Sequence, residues 1–235
     1  MPTIKETSSE KGEKNYLYLR DFALSQGAAL FGVADVRQLR DNFLGLARPI
    51  IEKLDYGISL AVSLSHTVIE DIEDKPTKLY FYHYRQINLF LDQLALRITH
   101  FIQKEGGQAL PIPSSQIIDW EKQKAHLSHK RIAGEAGLGW RGRNNLLVSD
   151  RFGSRIRLVT ILTDFPLRTG PRREPGCGDC KACIPVCPAG AIKERKENFD
   201  HLSCYRKLDY FRKECHIGHH ICGICVKACK EKGTK

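Results

Sequence analysis

With 235 residues the chain is long enough to bury a full core, and no uninterrupted apolar run approaches the ~20 residues of a membrane-spanning helix. The polar, mixed-charge start MPTIKETSSEKGEKN lacks a secretory apolar region, so a soluble cytoplasmic protein with no membrane partner is expected. The formal net charge of +10 invites an anionic partner such as tRNA, and all nine cysteines fall between Cys177 and Cys229.

Residues 1–15 read as a flexible tail. From Tyr16 to Ser25, Leu17, Phe22, Ala23 and Leu24 suit a helix, with Gly27 as its stop. Ala28 to Val36 and Gly57 to Leu64 read as buried strands, the start of a strand-helix-strand alternation. Pro76 to Glu105 supports one long helix ended by Gly106-Gly107, because Leu79, Ile87, Phe90, Leu91, Leu94, Ile98, Phe101 and Ile102 follow helical spacing. A short extended piece at Leu110 to Pro113 precedes a predicted helix from about Glu121 to Ala136. Leu146 to Ser149 and Arg155 to Thr163 then read as strands around the turn Arg151-Phe152-Gly153-Ser154. The Pro- and Arg-rich segment RTGPRREP from Arg168 marks a domain boundary. The expectation is an α+β chain: an α/β core domain over 16–167 and a cysteine domain over 168–235.

Clustered cysteines in a reducing compartment point to metal or redox chemistry rather than to disulfides. Cys177, Cys180, Cys183 and Cys187, followed by Pro188, form C-x2-C-x2-C-x3-C-P, the bacterial ferredoxin-type run. Three thiolates on a tightly wound loop reach three irons of one cube, and the fourth, on a predicted short helix, turns to a second cube. Cys222, Cys225 and Cys229 give C-x2-C-x3-C, with Cys204 upstream as the missing front ligand. The assignment is Cys177, Cys180, Cys183 and Cys229 for one [4Fe-4S] cluster, and Cys187, Cys204, Cys222 and Cys225 for the other. Cys215 is either a bystander or the front ligand in place of Cys204. Zinc is the bland alternative, but a three-cysteine run closed by Cys-Pro suits a lone tetrahedral ion poorly. At about −2 each, two clusters would reduce the effective charge to roughly +6, which weakens the case for tRNA.

With these residues the chain resembles the epoxyqueuosine reductase family, cobalamin-dependent iron-sulfur enzymes of tRNA modification related to reductive dehalogenases. The stretches that carry the resemblance are AGLGWRGRNNLLV (Ala136 to Val148), TDFPL (Thr163 to Leu167), CGDCKACIPVCPAGAI, the strand GISLAVSLS and Tyr82-His83. The resemblance implies a nitroreductase-like core that binds a corrinoid, two [4Fe-4S] clusters that feed it single electrons, and an electron donor such as flavodoxin or ferredoxin. It would place Trp140, Arg141, Gly142, Arg143 and Asn144 beside the corrinoid, with His83 as a further contact. The bland reading is a strained glycine-rich turn for the loop and a structural hydrogen bond for His83. The family's proton-donating Asp in D-T-G is missing, since ungapped counting puts Gln123 there and leaves only Asp119 and Glu121 nearby. Cys229-Lys230 stands where the family has Cys-Pro, and the chain reads as a short, divergent member without the C-terminal helical-repeat domain. The expectation is an iron-sulfur oxidoreductase acting through a corrinoid, the alternative a non-catalytic electron-transfer protein or the reductive partner of a corrinoid protein.

Overall fold

The computed structural model describes residues 7–230, which divide into two compact units built from alternating stretches of chain. Among the described residues the first comprises 7–62, 89–138 and 158–172; the second comprises 63–88, 139–157 and 173–230. Among the described residues no helix is long and apolar enough to cross a membrane.

In the first unit helix α1 (Ser8–Ser25) starts at a capping box, in which the Thr7 hydroxyl accepts from Glu10 N–H and the Glu10 carboxylate accepts from Thr7 N–H. Residues 8–15 are therefore helical, where a flexible tail was expected; residues 1–6 lie outside the described residues. The buried stripe runs Gly12, Tyr16, Leu19, Ala23, and it begins on a residue that carries no hydrophobic signal. A side chain at residue 12 would crowd the backbone of Leu167, 3.4 Å away, and the Asn15 amide donates to Pro166 O at 2.9 Å.

Strands β1 (Leu30–Asp35) and β2 (Tyr56–Ser63) pair antiparallel, with Leu30 opposite Ala61 and Asp35 opposite Tyr56. Only a 3-10 turn (Arg37–Asn42) and the one-turn helix α2 (Arg48–Ile51) separate them, so the expected alternation with a crossover helix gives way to neighbouring antiparallel strands. The sheet continues to β6 (Ile156–Thr163) and ends on β3 (Ala109–Ile112), in the order β1-β2-β6-β3. Pro111 cannot donate to a ladder, which suits its place in an edge strand. Helix α4 (Lys78–Lys104) buries Leu91, Leu94, Ala95, Ile98 and Ile102 at helical spacing, and Gly106, at φ +82°, ends it.

The helix expected from Glu121 shrinks to α5 (His129–Glu135). Asp119 captures Lys122 N–H with its carboxylate and pairs its backbone with Lys124, and Gln123 at φ +51° completes a tight turn that no helix can pass through. Helix α5 begins only where the Ser128 hydroxyl accepts from Arg131 N–H at 3.3 Å.

The second unit joins the cysteine segment to α3 (His66–Glu70), the first turns of α4 and the hairpin of β4 (Trp140–Arg141) and β5 (Leu147–Val148). Its core gathers Leu64, Ile69, Ile72, Tyr80 and Tyr84 with Phe211, Ile217, Ile221, Ile224 and Val226. One division between the compact units, after Arg172, falls within the segment RTGPRREP, and the second unit also takes in residues 63–88 and 139–157. So short a cysteine segment, carrying only α6 (His201–Glu214), α7 (Ile224–Ala228) and a 3-10 turn, has too little apolar surface for a core of its own and shares one with residues 63–88.

Candidate metal centre

From Cys177 to Gly190 the backbone winds through successive tight turns. Cys180 N–H donates to Cys177 O, Ile184 to Lys181, Cys187 to Ile184 and Gly190 to Cys187, at 2.9–3.2 Å. Gly178 and Gly190, at φ +51° and +57°, allow the winding. Cys187 sits in these turns and not on the short helix expected of it, because Pro188 follows at once and brings no N–H to continue one. Cys204 lies in the first turn of α6, which Asp200 caps by accepting from Ser203 N–H. Cys225 lies in α7, flanked by Cys222 and Cys229. Gly223, before α7, stands at φ +85°, and a Cβ there would sit 2.5 Å from Ile72 Cδ1.

The thiols fall into two neighbourhoods. Burial first, and then Cys229, Cys177 and Cys180, push the Cys183 thiol up to about 11. Cys229 is raised by burial and by Cys177 and Cys180, against hydrogen bonds from the Ser154 hydroxyl and N–H that pull it back. Burial and then Cys204 and Cys187 push Cys222 up to about 11, offset by Ile224 N–H and the charge of Lys207. Cys225 is raised by burial and then by Cys222, Cys204, Cys187 and Cys183. Cys215 instead caps the end of α6 and packs against the apolar core. Crowded, half-buried thiols that raise one another's pKa become thiolates when a metal takes the place of their protons, so the donor set fits a thiolate-bound cofactor. Among the described residues no three His, Cys, Asp or Glu side chains close on a single-ion site.

The hairpin β4-β5 and the turn after it brace these segments. The Trp140 indole N–H donates to Cys177 Sγ at 3.5 Å, and the backbone of Gly142 comes so close that a Cβ there would lie 3.6 Å from the same sulfur. The Arg143 guanidinium donates to three carbonyls of the cysteine segment: Glu194 O at 2.7 Å, Cys180 O at 2.8 Å and Gly178 O at 2.9 Å. Buried Asn144 donates to Ser154 Oγ at 3.1 Å and accepts from Leu146 N–H. Arg155, also buried, joins Glu70 Oε1 at 2.8 Å to Lys227 O at 2.5 Å, and Lys227 Nζ donates to Glu70 O and Ile72 O. Arg143→Met would strip three charge-assisted bonds from a half-exposed site, an expected loss of roughly 2 kcal/mol. It should appear as a lower melting temperature and faster iron loss to a chelator, with full iron uptake retained.

The remaining predicted site residues are dispersed. His83 Nε2 accepts from Ser65 N–H at 2.9 Å, and burial holds its imidazole below the ordinary range, so it is a neutral structural acceptor. Arg141 is exposed and donates to Asn145 Oδ1. Asp119 and Glu121 belong to the first unit, where the Asp119 carboxylate is engaged by its own turn and Glu121 is exposed. Ser154, Arg155 and Glu70 escaped the sequence reading. The only signal was the turn Arg151-Phe152-Gly153-Ser154, which on its own is an ordinary loop.

No protein-family model matches the chain. Over 181 residues it is 31% identical to the epoxyqueuosine reductase of Synechococcus sp. (strain RCC307), an alignment that covers 75% of this chain and 53% of that protein. The chain thus spans about half the length of that curated relative. The fold is shared with a catabolic reductive dehalogenase solved in complex with 3-bromo-4-hydroxybenzoic acid (TM-score 0.75, 16% identity, 97% of this chain and 33% of that one). It is also shared with epoxyqueuosine reductase from Streptococcus thermophilus (TM-score 0.58, 20% identity, 91% and 65%).

Proposed function

Starting from a chain related in sequence to the epoxyqueuosine reductases, we propose an iron-sulfur reductase of the cobalamin-using kind. In it Cys177, Cys180, Cys183 and Cys229 hold one [4Fe-4S] cluster, and Cys187, Cys204, Cys222 and Cys225 hold the other. What supports this reading is that Cys183 is raised by Cys229, Cys177 and Cys180, and Cys225 chiefly by Cys222, Cys204 and Cys187, so each neighbourhood takes one cysteine from across the motif boundary. A cube keeps its thiolates on the outside of a core of irons and sulfides, as neighbours and not in contact, which a lone zinc ion would not allow. The clusters supply single electrons, received from a donor of the flavodoxin or ferredoxin class.

The chain's own residues wind and clamp the loops: Gly178 and Gly190 permit the turns, Arg143 ties down three carbonyls, and Arg155 with Lys227 locks α7 to Glu70. A reductase that protonates a leaving oxygen needs an acid within hydrogen-bond reach. Gln123 supplies none and the Asp119 carboxylate is engaged, so the substrate chemistry proposed here differs from epoxide reduction and tRNA is not its favoured partner.

The burial of Trp140 and Gly142 against Cys177, and of Asn144 against Ser154, favours a second reading, a two-cluster electron-transfer protein that reduces a separate corrinoid protein. An anaerobic titration with cob(II)alamin, followed by EPR, separates the two. Conversion to the base-off spectrum on binding supports the first reading; a spectrum identical to that of free cobalamin at every protein concentration supports the second.

A further inference from the structure

We propose that the cavity between α7 and the acidic loop after α3 binds an organic cation with an apolar body, such as a quaternary ammonium, and that the bound cation makes the clusters easier to reduce. The redox half of the inference rests on the cluster reading above. The cavity lies wholly within the second unit and measures about 480 Å³, in the size range of small-molecule sites. Ile72, Val186, Pro188, Ile224 and Ala228 form its apolar walls. Most of the wall is next to the sulfurs in sequence: Val186 and Pro188 flank Cys187, Ile224 precedes Cys225, and Ala228 precedes Cys229. An occupant therefore rests against the immediate neighbours of ligands from both quartets.

Charge decides the class of ligand. Two of the charged side chains on the lining are already engaged: Arg155 meets the Glu70 carboxylate at 2.8 Å, and Lys227 Nζ donates to Glu70 O at 2.8 Å and Ile72 O at 2.7 Å. That leaves the exposed carboxylates of Glu73 and Asp74 opposed by the ammonium of Lys230. Behind the wall each cluster would add a charge of about −2. A cleft with apolar walls focuses such a field on its occupant, so a cation is attracted and an anion repelled. A bare metal ion does not suit the same place. It needs several oxygen ligands closing around it, and among the described residues no three His, Cys, Asp or Glu side chains do so. An organic cation instead lays its apolar body on the walls and turns its charge toward Glu73 and Asp74.

The redox coupling follows from reciprocity. Reduction adds one electron to a cluster, taken from a low-potential one-electron donor, with no bond made or broken, so the field at the cavity becomes more negative by one charge. A cation then binds the reduced chain more tightly than the oxidised one, and its binding raises the midpoint potential by the same free energy.

Benzyltrimethylammonium, a redox-inert cation of fixed charge, is the probe, and benzoate its anionic counterpart. Calorimetric titration of the anaerobically reconstituted full chain should show one site for the cation and none for benzoate, with an affinity about fivefold higher for each electron taken up from dithionite. In a redox titration followed by EPR, saturating cation should raise the midpoints by the equivalent of that ratio, about 40 mV for one electron. Glu73→Gln combined with Asp74→Asn should weaken binding about tenfold. Val186→Trp, at a position 40% exposed, should fill the cavity and abolish binding, with iron at the wild-type level. If Val186→Trp loses iron, the double substitution at Glu73 and Asp74 decides. Equal binding of benzoate, no binding of the cation to the iron-loaded chain, an affinity unmoved by these substitutions, or midpoints unmoved by saturating cation overturns the inference alone. A wild-type chain that takes up no iron overturns the cluster reading beneath it.

Discussion

Serine in place of Cys225 should halve the iron of the reconstituted chain, from about eight per molecule to about four. Three neighbours of its own quartet crowd Cys225, and a serine hydroxyl there would ligate poorly. Cys187→Ser should produce the same loss in the same cluster, although Cys187 stands in the loop of Cys177, Cys180 and Cys183. The electrostatic partners of Cys187 are Cys222 and Cys225, so damage should cross from one sequence motif to the other. Cys215→Ser is the control: its side chain lies against Phe211, Ile217 and their neighbours, and iron content should stay unchanged. Iron and acid-labile sulfide measured after identical reconstitution check all three variants. If Cys215→Ser halves the iron while Cys204→Ser leaves it intact, the two cysteines exchange places in the assignment.

Gly153→Ala should be among the most damaging single-methyl changes at the described residues. Residue 153 adopts φ +54°, which costs a side chain about 1–2 kcal/mol by itself. The added Cβ would also lie 2.2 Å from Cys229 O and 2.8 Å from Lys230 O, backbone atoms that cannot swing away as a side chain could. Relief requires moving Cys229, whose thiol Ser154 holds down against the upward push of burial. The expected total is roughly 3–4 kcal/mol of lost stability. Iron should be lost selectively from the quartet of Cys177, Cys180, Cys183 and Cys229. Calorimetry and EPR of the remaining cluster check both effects; a variant with wild-type iron and melting temperature would show that the 149–153 turn does not brace Cys229.

Much of the architecture is written in local pattern. The apolar runs at Leu30–Asp35, Tyr56–Ser63 and Ile156–Thr163 and the long amphipathic stretch of α4 appear within two residues of where their periodicity puts them. The misses have local causes too. The polar stretch before Tyr16 conceals a helix because its buried stripe starts on Gly12, and the pattern from Glu121 breaks because one carboxylate, Asp119, captures a backbone N–H. Spacing brought all eight proposed ligands into view, since loop length alone limits which thiolates can share a cube. Spacing is silent on what surrounds them. Ser154, Arg155 and Glu70 lie far in sequence from the cysteines whose segments they hold, and no periodicity links residues 70 and 155 to residue 227. Trp140 and Asn144 stood out by resemblance, yet only the fold turns their polar atoms toward Cys177 and Ser154.

Every electron-transfer step attributed to this chain requires that two thiolate quartets, interleaved across the motifs, each hold a cube. Iron and sulfide analysis of the anaerobically reconstituted wild-type chain, with EPR of the dithionite-reduced protein, tests this most directly. About eight irons and eight sulfides per chain, with the signals of two magnetically coupled reduced clusters, is the predicted result. Bound zinc, or about four irons with the signal of a single isolated cluster, would contradict it.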